Sequence, residues 1–227
     1  MGEAAPAALA QAVRAVVPLV QVPPRAVWGQ AGQARHTPAE TWLGRPLDAG
    51  GSLAVMVRRY LAAFGPATVR DMQAWSGLTR HREVIEPMRP SLCTFRDEDG
   101  RELFDLPGAA RPDPETPAPA RLVPEYDNLI LSHDDRTRIM SEDHRKRLFS
   151  LLNVFPGTVL VGGFVRGMWR LSRSRDTATL TVELFSDRVP ARDRDEVTAE
   201  AGRVLAFAAP EASVRDVRFA AIGAAGG

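Results

Sequence analysis

The segment 52–106 constrains the fold more than any other part of the sequence, because it carries a fixed order of helix and turn signals. Apolar residues recur at helical spacing from Leu53 to Phe64, and Gly65-Pro66 ends this first helix. Thr68 can cap a second helix, which ends at Ser76-Gly77, a turn in which glycine can take a positive φ. The segment therefore begins with two short helices joined by a tight connection.

A third helix and a β-hairpin follow in the same segment. We predict that Thr79 caps the third helix over Arg80–Glu86 and that Pro87 limits or kinks it. The turn Asp97-Glu98-Asp99-Gly100 lies between two runs of alternating residues, and Asp-Gly in this setting is a strong hairpin signal. Three helices, with a glycine turn before the third, and then a hairpin are the order of a winged helix-turn-helix.

The proline-rich stretch Pro107–Pro119 separates this segment from the rest and is typical of a semi-rigid, solvated linker. The predicted fold class is α+β, a winged helix-turn-helix followed by a small mixed β-sheet or partly closed β-barrel with helices. We predict four parts: an N-terminal arm at 1–50, a winged-helix domain at 51–108, the Pro-rich linker at 109–119, and a barrel-like α/β domain at 120–227.

The last part of the chain combines strands with helices. The apolar run Leu129-Ile130-Leu131 predicts a strand. Thr158–Leu171 and Thr177–Phe185 are rich in β-branched residues and predict two more strands, the first interrupted by a bulge at Gly162-Gly163. Two helices and a closing strand complete the prediction, at Ser141–Leu152, Val189–Ala208 and Ser213–Ala220.

Composition restricts the function less than this order of elements does. The 227 residues are 44% hydrophobic and 25% charged, which is typical of a globular protein. No apolar run approaches the roughly 20 residues of a membrane span, and the first residues lack the features of a signal peptide. Cys93 is the only cysteine, so we expect no intrachain disulfide and no thiolate-rich metal site. We also expect no bound metal, no cofactor and a cytoplasmic location. Lys146 is the only lysine among 29 basic residues, a bias that a GC-rich coding sequence explains more simply than a function does.

Four segments resemble a known bacterial family: YLAAFGPATVRDMQAWSGLTR, TFRDEDGRELFDLP, RLVPEYDNLILSHDDRTRI and VLVGGFVRGMWRL. They are similar to winged-helix DNA-binding proteins that include alkylpurine and interstrand-crosslink DNA glycosylases, the AlkZ/YcaQ-like group. The resemblance extends from about Pro23 to the end of the chain. It implies tandem winged helices that lead into a C-terminal β-barrel, and double-stranded DNA as the partner, with no membrane.

The same resemblance implies hydrolysis of the N-glycosidic bond of an alkylated purine, by water activated without a metal. The family's catalytic motif is a glutamine, one apolar residue, and then a second glutamine or an aspartate. No glutamine of this chain is followed two positions later by Gln or Asp. The glutamines are Gln11, Gln21, Gln30, Gln33 and Gln73. We therefore expect no catalytic residue and no glycosylase activity in this chain alone. Either a preceding segment or a partner chain supplies the catalytic part, or the chain is a non-catalytic DNA-binding relative of these enzymes.

Two basic sets are candidate contacts to DNA. The positive end of the third helix suits phosphate and base edges, and the residues there are Thr79, Arg80, His81 and Arg82. Arg166 and Arg170 are four positions apart, so on a regular strand they share a face. A solvated helix or strand face is the alternative for both sets. The acidic tip Asp97-Glu98-Asp99 would repel phosphate, so the hairpin is expected to pack against another domain.

Other polar residues have weaker claims to a function. The family resemblance singles out Glu125, Tyr126 and Asp127 as a site of unknown role, and the alternative is a turn in which Asp127 or Asn128 bonds to the backbone. Four residues have side chains that can bind metals but lack the helical ligand spacing of a metal site: His133, Asp134, Asp135 and His144. Two rival functions stay open, a transcriptional regulator that reads an operator and a non-catalytic scaffold that contacts protein.

Overall fold

The computed structural model describes residues 6–25, 27–48, 50–150, 156–186 and 188–220. The structure is α+β, as predicted, and the chain divides into two compact units, Met1–Ser52 and Leu53–Gly227. In the first unit, helix α1 precedes a two-stranded antiparallel sheet and a short second helix. Their bounds are α1 Pro6–Val16, β1 Leu19–Val22, β2 Arg35–Pro38 and α2 Ala39–Leu43.

The second unit begins with three helices and a hairpin that share one apolar core, which we call the helix–hairpin module. Its elements are α3 Leu53–Phe64, α4 Val69–Ser76, α5 His81–Met88, β3 Cys93–Arg96 and β4 Glu102–Asp105. Leu61, Ile85 and Phe104 are buried in its core. Ala67, between α3 and α4, exchanges two backbone hydrogen bonds with Phe104, of 2.8 and 3.0 Å. The connection between the helices is therefore joined to the hairpin by a single bridge at Ala67.

The helix ends in this module follow local rules with one exception. Thr68 caps α4 in a full capping box with Asp71, and Gly77 ends the helix at φ 69°, both as predicted. The third helix is not capped by Thr79, because Arg80 occupies the cap position in the left-handed region at φ 65°. Pro87 lies inside the last turn of α5, and the helix ends one residue later, at Met88. A proline at this position removes one backbone hydrogen bond of the helix.

The rest of the second unit is a five-stranded mixed sheet with helices on its faces. The strands stand in the order β5 Arg121–Val123, β6 Gly157–Val161, β7 Phe164–Ser174, β8 Thr177–Leu184 and β9 Val214–Ala220. Only β8 and β9 are parallel, and α8 (Ala191–Ala208) makes the crossover between them. Helix α7 (Glu142–Phe149) covers part of the other face. The described residues of β5 and β9 do not pair, so the sheet is open and forms no closed barrel.

Two sequence expectations in this part are wrong. Gly162-Gly163 is not a bulge but a two-residue turn, with φ of 58° and 80°, that divides the predicted first strand into β6 and β7. Such turns need positive φ at both central residues, which two glycines supply without strain. The run Leu129-Ile130-Leu131 is not a strand but lies in the short helix α6, Asn128–Leu131. Asp127 caps this helix by accepting a hydrogen bond from the Leu129 amide at 2.8 Å, which favours helix over strand.

The predicted linker is partly anchored to the hairpin. Arg111 forms a 2.5 Å ion pair with the buried carboxylate of Asp105, and its guanidinium lies over the ring of Phe95. It also donates hydrogen bonds to two backbone carbonyls just before it. The first half of the linker is therefore held against the hairpin by Arg111. Among the helices in the described ranges, none combines the length and the apolar content that crossing a bilayer requires.

Candidate nucleic-acid interface

The start of α5 presents two exposed arginines, and both are paired within the helix. Arg80 makes a two-pronged ion pair with Glu83, with distances of 2.7 and 2.8 Å. Arg82 lies 3.5 Å from Glu86. Their side chains are 76% and 69% exposed, so they can reach a ligand, but the neighbouring carboxylates offset their charge.

His81 lies in the core of the module and not on its surface. Its side chain is fully buried, and its Nε2 lies 3.2 Å from the Ser76 hydroxyl. Burial lowers the pKa of His81, so the ring is neutral. The predicted DNA contact is therefore not available to it. A signal for this placement is present in the sequence, because His81, Ile85 and Met88 share one helical face and all three are buried.

The hairpin is tied to the rest of the second unit by its own arginine. Arg101 contacts both Asp97 and Asp135 at 2.7 Å. Hydrogen bonds from Thr137, together with Arg101, lower the pKa of Asp135 to about 2. Glu98 is exposed at the tip, so the end of the hairpin presents negative charge to solvent. That charge disfavours contact with phosphate.

The segment His133-Asp134-Asp135 forms a joint with the helix–hairpin module. Oδ1 of the buried Asp71 accepts hydrogen bonds from the backbone amides of Asp134, at 2.9 Å, and Asp135, at 3.4 Å. Tyr60, also buried, donates its hydroxyl to the Ser132 carbonyl at 2.7 Å. The sequence analysis assigns no role to Asp71, and its contact with Asp134 depends on the tertiary fold.

The histidines with metal-ligand potential have structural partners. Nδ1 of His133 lies 2.9 Å from the Ser132 hydroxyl, and the buried ring packs near Tyr60 and Phe64. Burial is the main cause that lowers the pKa of His133 to about 4. Nδ1 of His144 lies 3.1 Å from the Val165 carbonyl. Within the described ranges, no three His, Cys, Asp and Glu side chains cluster closely enough to hold a metal ion.

The residues Glu125, Tyr126 and Asp127 lie in the turn before α6. Asp127 is the cap of that helix, which matches the alternative of a side chain that bonds to the backbone. Tyr126 takes a positive φ of 57° and its side chain is largely exposed. Glu125 is exposed as well. The structure brings these residues together at the surface, and Asp127 has a structural role there.

Arg166 and Arg170 lie on β7, but a bulge separates them. The pairing of β6 with β7 shifts register so that Arg166 has no opposite residue on β6. A bulge reverses the alternation of side chains, and Val165 and Met168, three positions apart, accordingly pack in the same core. The register shift therefore interrupts, between Arg166 and Arg170, the regular strand on which a shared face was predicted. Both are exposed, and Arg166 lies over the ring of Phe164.

A cleft of about 950 Å³ lies between the start of α4, the hairpin and the turn at 134–138. Seven carboxylates and four arginines line it, and several of them are the paired groups described above. This excess of negative charge disfavours the entry of a phosphate backbone. Exposed arginines outside the cleft are better placed to contact nucleic acid.

Comparison with known proteins gives two matches. The sequence model of a family described as DNA glycosylase AlkZ-like matches residues 1–207. The fold is similar to that of a solved structure, the Streptomyces sahachiroi DNA glycosylase AlkZ, with a TM-score of 0.64 and 20% sequence identity. The similarity covers 90% of this chain and 54% of that one, so the chain spans about half the length of that structure. No curated protein matches the sequence.

Proposed function

The chain belongs to the AlkZ-like DNA glycosylase family, and on that premise we propose that it is a DNA-binding module for the repair of alkylated double-stranded DNA. The family match over residues 1–207 is the observation that carries this proposal. The related fold is consistent with it over 90% of the chain. The chain would act together with a separate catalytic part, because the family's glutamine motif does not occur in these 227 residues.

The helix–hairpin module supports the finer proposal of a winged helix. Helices α3, α4 and α5 precede the β3–β4 hairpin, and the turn after α4 contains Gly77 with a positive φ. The bridge between Ala67 and Phe104 joins the α3–α4 connection to the hairpin, as expected for a wing that packs against its helices. In such domains the helix after the turn faces the DNA. Five of the six predicted contacts are exposed: Thr79, Arg80, Arg82, Arg166 and Arg170.

The central experiment is fluorescence anisotropy of the whole chain with unmodified and N7-alkylated duplexes across a salt series. We expect affinity to fall steeply with salt, because phosphate contacts release counterions. Tighter binding of the alkylated duplex would support the repair role. If neither duplex binds even at low salt, the proposal is wrong.

The absence of the glutamine motif leads to a separate proposal, that this chain alone does not excise bases. The measurement is release of the modified base from an N7-alkylated duplex, with a complete enzyme of the family as positive control. Turnover above the spontaneous rate would contradict it.

A protein-interaction scaffold is the second candidate, and the paired charges of the module favour it. The arginines of α5 are matched by Glu83 and Glu86, and the hairpin tip is acidic. A scaffold would show no salt-dependent affinity for DNA. A transcriptional regulator, by contrast, would protect one defined sequence in a footprinting experiment, whereas a repair module protects DNA with little sequence preference.

A further inference from the structure

The outer end of the five-stranded sheet has one face that no described element covers. Three rows of paired residues cross β7, β8 and β9 there, and we call them the open face: Arg170–Thr181–Arg218, Ser172–Thr179–Asp216 and Ser174–Thr177–Val214. In these rows the threonines of the central strand β8 are half-buried, and the residues of the neighbouring strand β7 are exposed. The alternate residues of the same strands, such as Leu180, pack under α8.

The open face combines hydroxyl groups with arginines. Five of its nine side chains are Ser or Thr, and each can donate a hydrogen bond. Arg170 has no ion pair with any carboxylate in the described ranges, whereas Arg218 pairs with Asp216 at 2.6 Å. Asp216 is the sole carboxylate of the nine, so the face has a net positive charge.

The charges of α5 and the hairpin differ from those of the open face. Arg80 and Arg82 of α5 each have a carboxylate partner, and Arg89 pairs with Glu102 at 2.6 Å. Arg96 of the hairpin has no ion pair in the described ranges, but it bonds to the Gly100 carbonyl beside the acidic tip. Arg89 also lowers the pKa of Glu86 by hydrogen bonding, which keeps that carboxylate ionised. Because DNA is a polyanion, the face whose arginine lacks an internal partner is the more favourable surface for it.

We propose that the open face binds the sugar-phosphate backbone of double-stranded DNA. Guanidinium and hydroxyl groups are the side-chain donors that proteins use most for phosphate. Neighbouring strands are about 4.8 Å apart, so Arg170 and Arg218, on the two outer strands of one row, are separated by about 10 Å with the hydroxyl of Thr181 between them. A backbone that crosses the strands meets a guanidinium on each side. This inference rests on the proposed function, since it assigns the DNA to one surface of the chain.

The test compares two matched pairs of exposed arginines in the whole chain. Anisotropy with a fluorescein-labelled unmodified duplex is measured across a salt series for wild type, Arg170→Ala/Arg218→Ala and the control Arg192→Ala/Arg203→Ala on α8, whose side chains are 87% and 63% exposed. We expect the open-face variant to bind about tenfold more weakly at low salt, and its slope of log K against log salt to be shallower by about 2. The control is expected to keep the wild-type affinity and slope.

Two further variants separate charge from shape. Arg170→Lys/Arg218→Lys should keep the wild-type salt slope, because the charges remain. Thr179→Val/Thr181→Val removes two hydroxyls but keeps the β-branched shape, and it should weaken binding several-fold with the slope unchanged. Circular dichroism melts confirm that each variant folds.

The outcomes distinguish this inference from the proposed function. Wild-type affinity that survives in the open-face variant overturns the inference alone, and so does an equal loss of affinity in the α8 control. A wild-type chain that binds no duplex overturns the proposed function as well.

Discussion

One carboxylate, that of Asp71, connects two parts of the fold whose sequences are 63 positions apart. Oδ2 accepts a hydrogen bond from the backbone amide of Thr68 at 2.8 Å and completes the capping box of α4. Oδ1 accepts hydrogen bonds from the backbone amides of Asp134 and Asp135. The sequence predicts that Thr68 caps α4, and the structure adds Asp71 as its capping-box partner. The sequence cannot predict the second role, because no local pattern indicates which distant amides a buried carboxylate will accept.

Replacing Asp71 tests this double role. Asp71→Ala removes the carboxylate half of the capping box, worth about 1 kcal/mol, and leaves buried amides unsatisfied at about 1–3 kcal/mol. We expect the free energy of unfolding to fall by about 2–4 kcal/mol in urea denaturation. Glu98→Ala, at the exposed hairpin tip, is the control and should stay within about 0.5 kcal/mol of wild type. A loss no larger than that of the control would contradict the joint.

His133 should make stability depend on pH in mildly acidic solution. Its pKa is lowered from 6.5 to about 4 in the folded chain, so between these values the unfolded chain binds more protons. Stability therefore rises with pH through this window and falls as the pH drops from 6.5 to 4. His133→Phe keeps a ring beside Tyr60 and removes the titration. Urea midpoints measured across the window should vary less in this variant, and His81 should retain part of the slope because its pKa is lowered too.

At the scale of elements, caps and turn residues were sufficient to predict secondary structure from the sequence, whereas short apolar runs were not. The capped α4 and the Asp-Gly hairpin form as predicted, because their turn residues allow few alternatives. The run Leu129-Ile130-Leu131 is too short for its periodicity to separate helix from strand. The glycine pair between β6 and β7 fits a bulge or a turn equally well in sequence, and only the pairing of the strands decides.

Glycines in the sheet and in α8 should respond differently to a Cβ atom. A Cβ at Gly167 would lie 2.5 Å from the Glu183 carbonyl oxygen, so Gly167→Ala requires the backbone to shift. Gly163→Ala meets only ordinary contact but keeps a strained φ of 80°, at a cost of about 1–2 kcal/mol. Gly202→Ala, in open space on α8, should stabilise by up to about 1 kcal/mol. The melting temperature should be lowest for Gly167→Ala, higher for Gly163→Ala and highest for Gly202→Ala. A Gly167→Ala variant that melts at the wild-type temperature would contradict the close approach of Gly167 to the Glu183 carbonyl.

At the scale of the whole molecule, the Asp71 joint should make the helix–hairpin module and the sheet unfold together. Trp75 reports on the module and Trp169 on the sheet, where its indole donates a 2.8 Å hydrogen bond to the Val123 carbonyl. Single-tryptophan variants that retain one or the other should give coincident urea transitions. In the Tyr60→Phe/Asp71→Ala background the two midpoints should separate. Separate transitions without those substitutions would show that the joint does not couple the parts.

The parallel pairing of β8 with β9 has a consequence for how the chain reaches this fold. The hairpins close locally and quickly, but β9 can join β8 only after α8 has formed and crossed the sheet. Until then the long strand β8 presents an unpaired edge, the kind of surface that recruits strands from other chains. Refolding yield should therefore fall as protein concentration rises, and the slowest refolding step should be the docking of this last strand.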